Sequence, residues 1–192
     1  MSTKANIGPL PHWDLSNVYP SLDDPAFKED IKKVNQMLDD LDRYLAEKDI
    51  SKAGSVSEPA LDLAKRTAGY LDRMNALMRL FFTLRAYVAS FVSTDSYNAE
   101  AKRIMSQLEM LLPRVNHQEV LFQGWVGEIS QDPNKLSEII TQGGSAAEHS
   151  FFLQETAEQS RFLMSENEEA LASELSLSGS TSWQKLQGVL TS

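Results

Sequence analysis

Apolar residues recur along most of this chain with a helical period. Phe27, Ile31, Val34, Leu38, Leu41 and Leu45 follow at spacings of 4, 3, 4, 3 and 4, which places them on one stripe of a helix. Lys28, Lys32, Asp39 and Arg43 fall on its solvated side. Asp24 is a good N-cap and Pro25 suits the first helical position, so the helix is predicted to start there. Gly54 lies in the loop that follows. A second helix is predicted from around Ser57, Glu58 and Pro59 toward Thr94. Its Leu77, Phe81, Leu84, Val88 and Phe91 repeat at 4, 3, 4 and 3. Leu80, Phe82 and Tyr87 widen that stripe, so the helix should be central and buried on more than one side.

The segment Ser93 to Ser96 breaks the pattern and is expected to cap the next helix, over Asn98 to Val115. There Ala101, Ile104, Leu108, Leu111 and Val115 face inward, and Pro113 should kink or end it. A further helical stretch, Glu119 to Glu128, carries Val120, Leu121, Trp125 and Val126. Asp132 and Pro133 begin a short helix through Ile139 and Ile140, and Gly143 with Gly144 stops it. Ala147 to Met164 follows, then Ser165 to Glu168, a tetrad of capping-box form. Ser178, Gly179 and Ser180 separate a last short helix holding Trp183, Leu186 and Leu190.

From Tyr70 to Leu112 there is neither glycine nor proline, a run of 43 residues that favours long helices. No segment keeps a strand period and no repeat emerges. The expected fold is all-α, a bundle of roughly six to eight helices with two long central ones. Residues 1–192 are expected to form a single domain: an extended leader over 1–23, long helices over 24–128 and shorter helices over 132–192. Pro9, Pro11, Pro20 and Pro25 mark the leader. Its Trp13, Leu15 and Tyr19 are read as a strap pinned onto the helices, through packing as plain anchors.

Composition narrows the partners. The 192 residues carry 18 Lys+Arg, 27 Asp+Glu and no Cys, for a net charge of −9. Disulfides, thiolate metal sites and a Cys nucleophile are excluded. The acidic balance argues against nucleic acid and anionic membrane as partners. No signal peptide is visible in the first 20 residues, and the greasiest stretch, Leu80 to Val92, is only 13 residues long against the roughly 20 a membrane span needs. A cytosolic location is expected. Between Glu148 and Glu174 there are seven acids and one base, Arg161. Such a face would repel anions or attract basic peptides; it is also what a solvated helix face looks like.

A catalytic constellation is not visible. The histidines His12, His117 and His149 lack a second His at i+4, so the His-Glu-x-x-His zinc helix is absent and each reads as a capping or packing residue. There is no Gly-x-Ser-x-Gly elbow and no phosphate-cradling glycine loop. The carboxylate pairs Asp23 with Asp24 and Asp39 with Asp40 are explained by caps and exposed faces. No catalytic, cofactor-binding or metal residue is assigned to this chain, and its substrate-contacting residues stay unknown. Glu119 to Gly124 (EVLFQG) looks like the site of the picornaviral cysteine protease used to remove tags, with Trp125 where that site has proline. The segment fits the helical pattern around it and is read as native sequence, open to that protease where the helix frays.

Several stretches together resemble the amino-terminal part of the oligoendopeptidase F family of zinc metallopeptidases. Leu10 to Asp24 (LPHWDLSNVYPSLDD) looks like the family's Trp-Asp-Leu-x-x-Leu-Tyr-Pro-Ser opening, with Val18 in place of Leu. Tyr87 to Glu109 is similar to its helix–Asp–helix passage. Leu163 to Glu169 (LMSENEE) and Leu177 to Trp183 (LSGSTSW) resemble a later run in which Ser182 stands for Ala. The resemblance implies a helical wall or lid over the channel of an enzyme that cleaves short peptides. It implies that the zinc and the His-Glu-x-x-His helix holding it lie in a catalytic half beyond Ser192, so this chain alone should be inactive. The expected partners are that catalytic half, short peptides as substrates of the parent enzyme, and a second copy through an exposed apolar face. The alternatives are a stand-alone helical module that binds a peptide or partner helix without cleaving it, and a purely structural bundle.

Overall fold

A computed structural model describes residues 14–164 and 166–191. Among these the chain forms nine α-helices and no strand: α1 (Pro25–Glu47), α2 (Ala60–Thr94), α3 (Ala99–Glu109), α4 (Leu112–Ile129), α5 (Pro133–Thr141), α6 (Gly144–Glu148), α7 (Ser150–Gln159), α8 (Glu166–Ser178) and α9 (Ser180–Thr191). A 3-10 turn, Ser160–Phe162, follows α7. The all-α bundle is what the periodicity implies, and α2 is the long central helix. Trp13, His12 and Ser165, with the roles expected of them, lie outside the described residues.

The first helix begins as its sequence dictates. The Asp24 carboxylate accepts the Ala26 N–H at 2.8 Å, with Pro25 in the first turn. Phe27, Val34, Leu38, Leu41 and Leu45 are buried and Ile31 partly so. The leader is strapped on by Tyr19, whose hydroxyl donates to Asp30 Oδ2 at 2.7 Å. The Tyr87 hydroxyl in turn donates to the Tyr19 carbonyl at 2.9 Å. Edge-to-face contacts join Tyr19 to Phe27 and Tyr87 at 5.2 and 5.1 Å between ring centroids, an arrangement favoured by the ring quadrupoles. Leu15 packs on the same core.

The helix α2 is central. Leu63, Tyr70, Leu71, Met74, Leu77, Phe81, Leu84, Tyr87 and Val88 are all buried along it. By length and composition it is apolar enough to cross a membrane, with 28% of its most apolar stretch buried; α1, α3, α5 and α6 pack against it. Phe82 departs from the expected burial, at 52% exposure. Gly69 admits α1 at close range: a Cβ there would stand 2.0 Å from the Tyr44 hydroxyl oxygen, which donates to the Arg66 carbonyl at 3.1 Å.

Three boundaries fall elsewhere than the pattern suggests. The cap of α3 is Asn98, which accepts the Ala101 N–H at 2.9 Å, rather than the preceding serines. The chain breaks at Met110 and Leu111, before Pro113, and Pro113 sits in the first turn of α4. A proline there forfeits no helical hydrogen bond, so it opens a helix instead of ending one. The stretch Glu119 to Glu128 is therefore part of one helix that Pro113 begins. Asp132 caps α5 through the Asn134 N–H at 3.0 Å, and Gly143 and Gly144 end it with φ of 88° and 61°. The following helix starts at Gly144 and is interrupted at His149, so α6 and α7 replace one continuous element.

Two polar clamps hold α4. Against α1, Arg114 pairs with Asp42 and with Asp39 at 2.6 Å, and the Gln118 amide donates to Asp42 and to the Leu38 carbonyl at 3.1 Å. Against the α1–α2 loop, Trp125 Nε1 donates to the Ser55 carbonyl at 3.3 Å. Arg66 reaches the same carbonyl, and Lys135 the carbonyl of Val56.

The segment that resembles a protease site lies within α4. Phe122, Gly124 and Trp125 are buried around the Gln123–Gly124 bond, and a protease needs that bond extended. The picornaviral enzyme is therefore expected to cut the folded chain far more slowly than a free peptide of the same sequence. Leu38→Ala, which removes about 2–5 kcal/mol of packing, should speed cutting at least tenfold. Gel-resolved time courses check this; equal rates for chain and peptide would show that α4 is not held.

Candidate functional site

Both α2 and α4 pack on α1, and the seam between them is only partly filled. Its floor is the stack of Tyr70 on Phe122, with ring centroids 3.7 Å apart and planes 11° from parallel. Two cavities open along this seam. One, of about 380 Å³, lies between Met74, Asn75 and Met78 of α2, Glu119 and Gln123 of α4, and His149, Phe152 and Gln159 at α7. The other, of about 370 Å³, lies between Arg85 of α2, Pro113 and Asn116 of α4, and the α8–α9 pair. On α2, Met78 and Arg85 are seven residues apart and share a face; so do Asn116 and Gln123 on α4. The two cavities thus lie in succession along the same faces of α2 and α4, and together they define a groove. From Asn75 to Arg85 it runs about 15 Å along the helix, room for four or five residues of extended chain. The exposed Phe82 lies on the same face of α2, between Met78 and Arg85.

The first chamber is apolar with a polar rim. Glu119 as a residue is exposed, yet crowding at the mouth strips water from its carboxyl and raises its pKa. Burial raises the Tyr70 hydroxyl well above its ordinary value, and the nearby Glu119 charge adds to the effect. His149 Nε2 is 3.1 Å from the Asn75 amide nitrogen. Among the described residues no Lys or Arg lines this chamber. In the second chamber an ion pair of Lys185 with Glu109 ties α9 to α3.

The polar residues singled out in the sequence are placed as follows. His149 is a junction residue: its N–H bonds the Ser145 carbonyl at 3.0 Å and its carbonyl accepts the Leu153 N–H at 3.0 Å. His117 is exposed on α4. Asp23 pairs with Lys28 at 2.8 Å, Asp40 with Arg43 at 3.0 Å, and Asp39 with Arg114. Among the described residues no three His, Asp or Glu converge to hold a metal ion.

The carboxy-terminal helices differ from the rest. No described side chain of α8 or α9 enters the core, which ends at Ala157. Phe151, Phe162 and Trp183 are 76%, 79% and 72% exposed, and Leu171, Leu175, Leu186 and Leu190 are exposed with them.

Residues 129–192 match the family model described as Oligopeptidase F, the amino-terminal domain of M3 peptidases. The match begins at the last residue of α4 and covers α5 to α9. It bears out the resemblance, with Leu163 to Glu169 and Leu177 to Trp183 inside the matched segment and the leader and Tyr87 to Glu109 outside it. No curated protein and no solved structure matches the chain.

Desolvation of Glu119 makes stability pH-dependent. With the folded pKa above the unfolded one, the contribution is full while the carboxyl is protonated and is lost as pH rises through the folded pKa. Glu119→Gln should therefore raise Tm near pH 7.5 by on the order of 1 °C, and the advantage should vanish as pH falls toward 4. Thermal melts at both pH values decide; no gain at pH 7.5 would mean the carboxylate carries no desolvation cost.

Proposed function

We propose that this chain supplies the amino-terminal helical wall of a zinc-dependent oligopeptidase of the oligopeptidase F type, acting on short peptides in the cytosol. The observation that carries the reading is the family match over residues 129–192. The same segment leaves Phe151, Phe162, Trp183 and Leu190 exposed, which suits a surface meant to be covered by another domain. That domain would be the catalytic half, contributed by sequence beyond Ser192, with the zinc and the His-Glu-x-x-His helix. The α2–α4 groove supports the substrate class, since about 15 Å of narrow seam takes a few residues of extended peptide and no folded domain.

Reading the gene beyond Ser192 for His-Glu-x-x-His separates this proposal from the stand-alone module. A stop codon there, with peptide bound but never cut, would favour the module. The purified chain with added zinc is expected to give no chelator-sensitive turnover of a quenched oligopeptide. Robust turnover would overturn the assignment of catalysis to another domain.

The uncovered helices should also draw copies together. Sedimentation velocity is expected to show a concentration-dependent rise in mean mass, and replacing Trp183 and Leu190 by Ser should abolish it. A strict monomer at high concentration would count against an apolar docking face.

A further inference from the structure

The first chamber has a chemistry that the family match does not specify. Its walls are Met74 and Met78 of α2 and Phe152 of α7, over the Tyr70–Phe122 stack. The one carboxylate that lines it is Glu119, which has no cationic partner among the described residues. Among the described residues neither Lys nor Arg lines the chamber, and the one ionisable nitrogen there, on His149, lies against Asn75. The amides of Asn75, Gln123 and Gln159 add further acceptors on the rim.

We propose that this chamber is a subsite for a guanidinium-bearing side chain, with Glu119 taking the charged head and Met74, Met78 and Phe152 taking the aliphatic stem. The proposal deepens the peptide-handling reading and rests on it only for the ligand being part of a peptide. A guanidinium presents five N–H donors in a plane. It therefore suits a carboxylate flanked by amide oxygens and an aromatic wall better than a compact ammonium does. Long basic side chains bury their stems on apolar surface while the head stays at the rim. A chain of net charge −9, with seven acids between Glu148 and Glu174, attracts such cations from solution. The chamber volume, about 380 Å³, accommodates one long side chain and part of its backbone.

The test uses the 192-residue chain labelled with 13C at its methionine methyl groups, titrated with benzoyl-arginine amide. The Met74 and Met78 signals should shift and saturate, while exposed Met110, which lines neither chamber, should not move. The neutral isostere benzoyl-citrulline amide should bind about tenfold more weakly, the scale of one charge-assisted hydrogen bond. In Glu119→Gln the two probes should bind alike. The absence of a saturable shift, equal binding of the two probes to the native chain, or a preference that survives Glu119→Gln would each overturn the subsite. Peptide hydrolysis by the longer protein is scored separately. Cation binding without hydrolysis would sink only the peptidase reading, and hydrolysis without the methionine shifts would sink only the subsite.

Discussion

The structure turns on how one long helix is covered. At 35 residues, α2 spans about 52 Å and is apolar on more sides than one neighbour can mask. The first helix buries against it through the Phe27 to Leu45 stripe, and α3, α5 and α6 take other sectors. The fourth helix is the exception. Its polar clamps, Arg114 to Asp39 and Asp42 and Gln118 to the Leu38 carbonyl, bind it to α1. It meets α2 across the Tyr70–Phe122 stack, and above that floor the seam stays open. The groove is a consequence of where α4 is anchored.

That anchoring trades stability for position. The Gln118 side chain is fully buried, and its carbonyl oxygen has no hydrogen-bond partner. A buried unsatisfied acceptor costs on the order of 1–3 kcal/mol. Apolar residues at these sites would pack without that penalty, but would let α4 slide along α1. The amide and the Arg114 fork instead fix one register. Gly124 reinforces it, since a Cβ there would lie 3.0 Å from the Cβ of Lys52. Register shapes the groove here, because Asn116, Glu119 and Gln123 line it with α4 held at this height against α2.

Much of the fold was legible because caps and periodicity are local. Asp24 and Asp132 act where the pattern put them, and the glycine pair ends α5. The junction at Pro113 was misplaced because a proline carries the same letter whether it ends one helix or opens the next. What separates the two is a break at Met110 and Leu111 with no glycine to announce it. Phe82 was assigned to the interior because periodicity reports which face is apolar, not whether a neighbour covers it. The groove could not be read for the same reason. Tyr70, Glu119 and His149 lie far apart in the chain, and only the clamp on α1 brings them to one chamber.

The two chambers differ in what defines their walls. The first is bounded by α2, α4 and α7, and Leu153, Thr156 and Ala157 root α7 in the core. The second is closed by α8 and α9, of 13 and 12 residues, lengths at which isolated helices are marginal in water. The α8 helix leans on α4 and α9 on α8, Lys185 of α9 is tied to Glu109 of α3, and none of their described side chains belongs to the core. A wall without a buried anchor takes its shape from whatever covers its other side. The second chamber is therefore the part of the groove least fixed by the core, and Leu171, Leu175 and Trp183 of its wall helices stay exposed. The first chamber keeps its geometry from the folded chain itself, which makes it the part of the groove whose chemistry belongs to these residues alone.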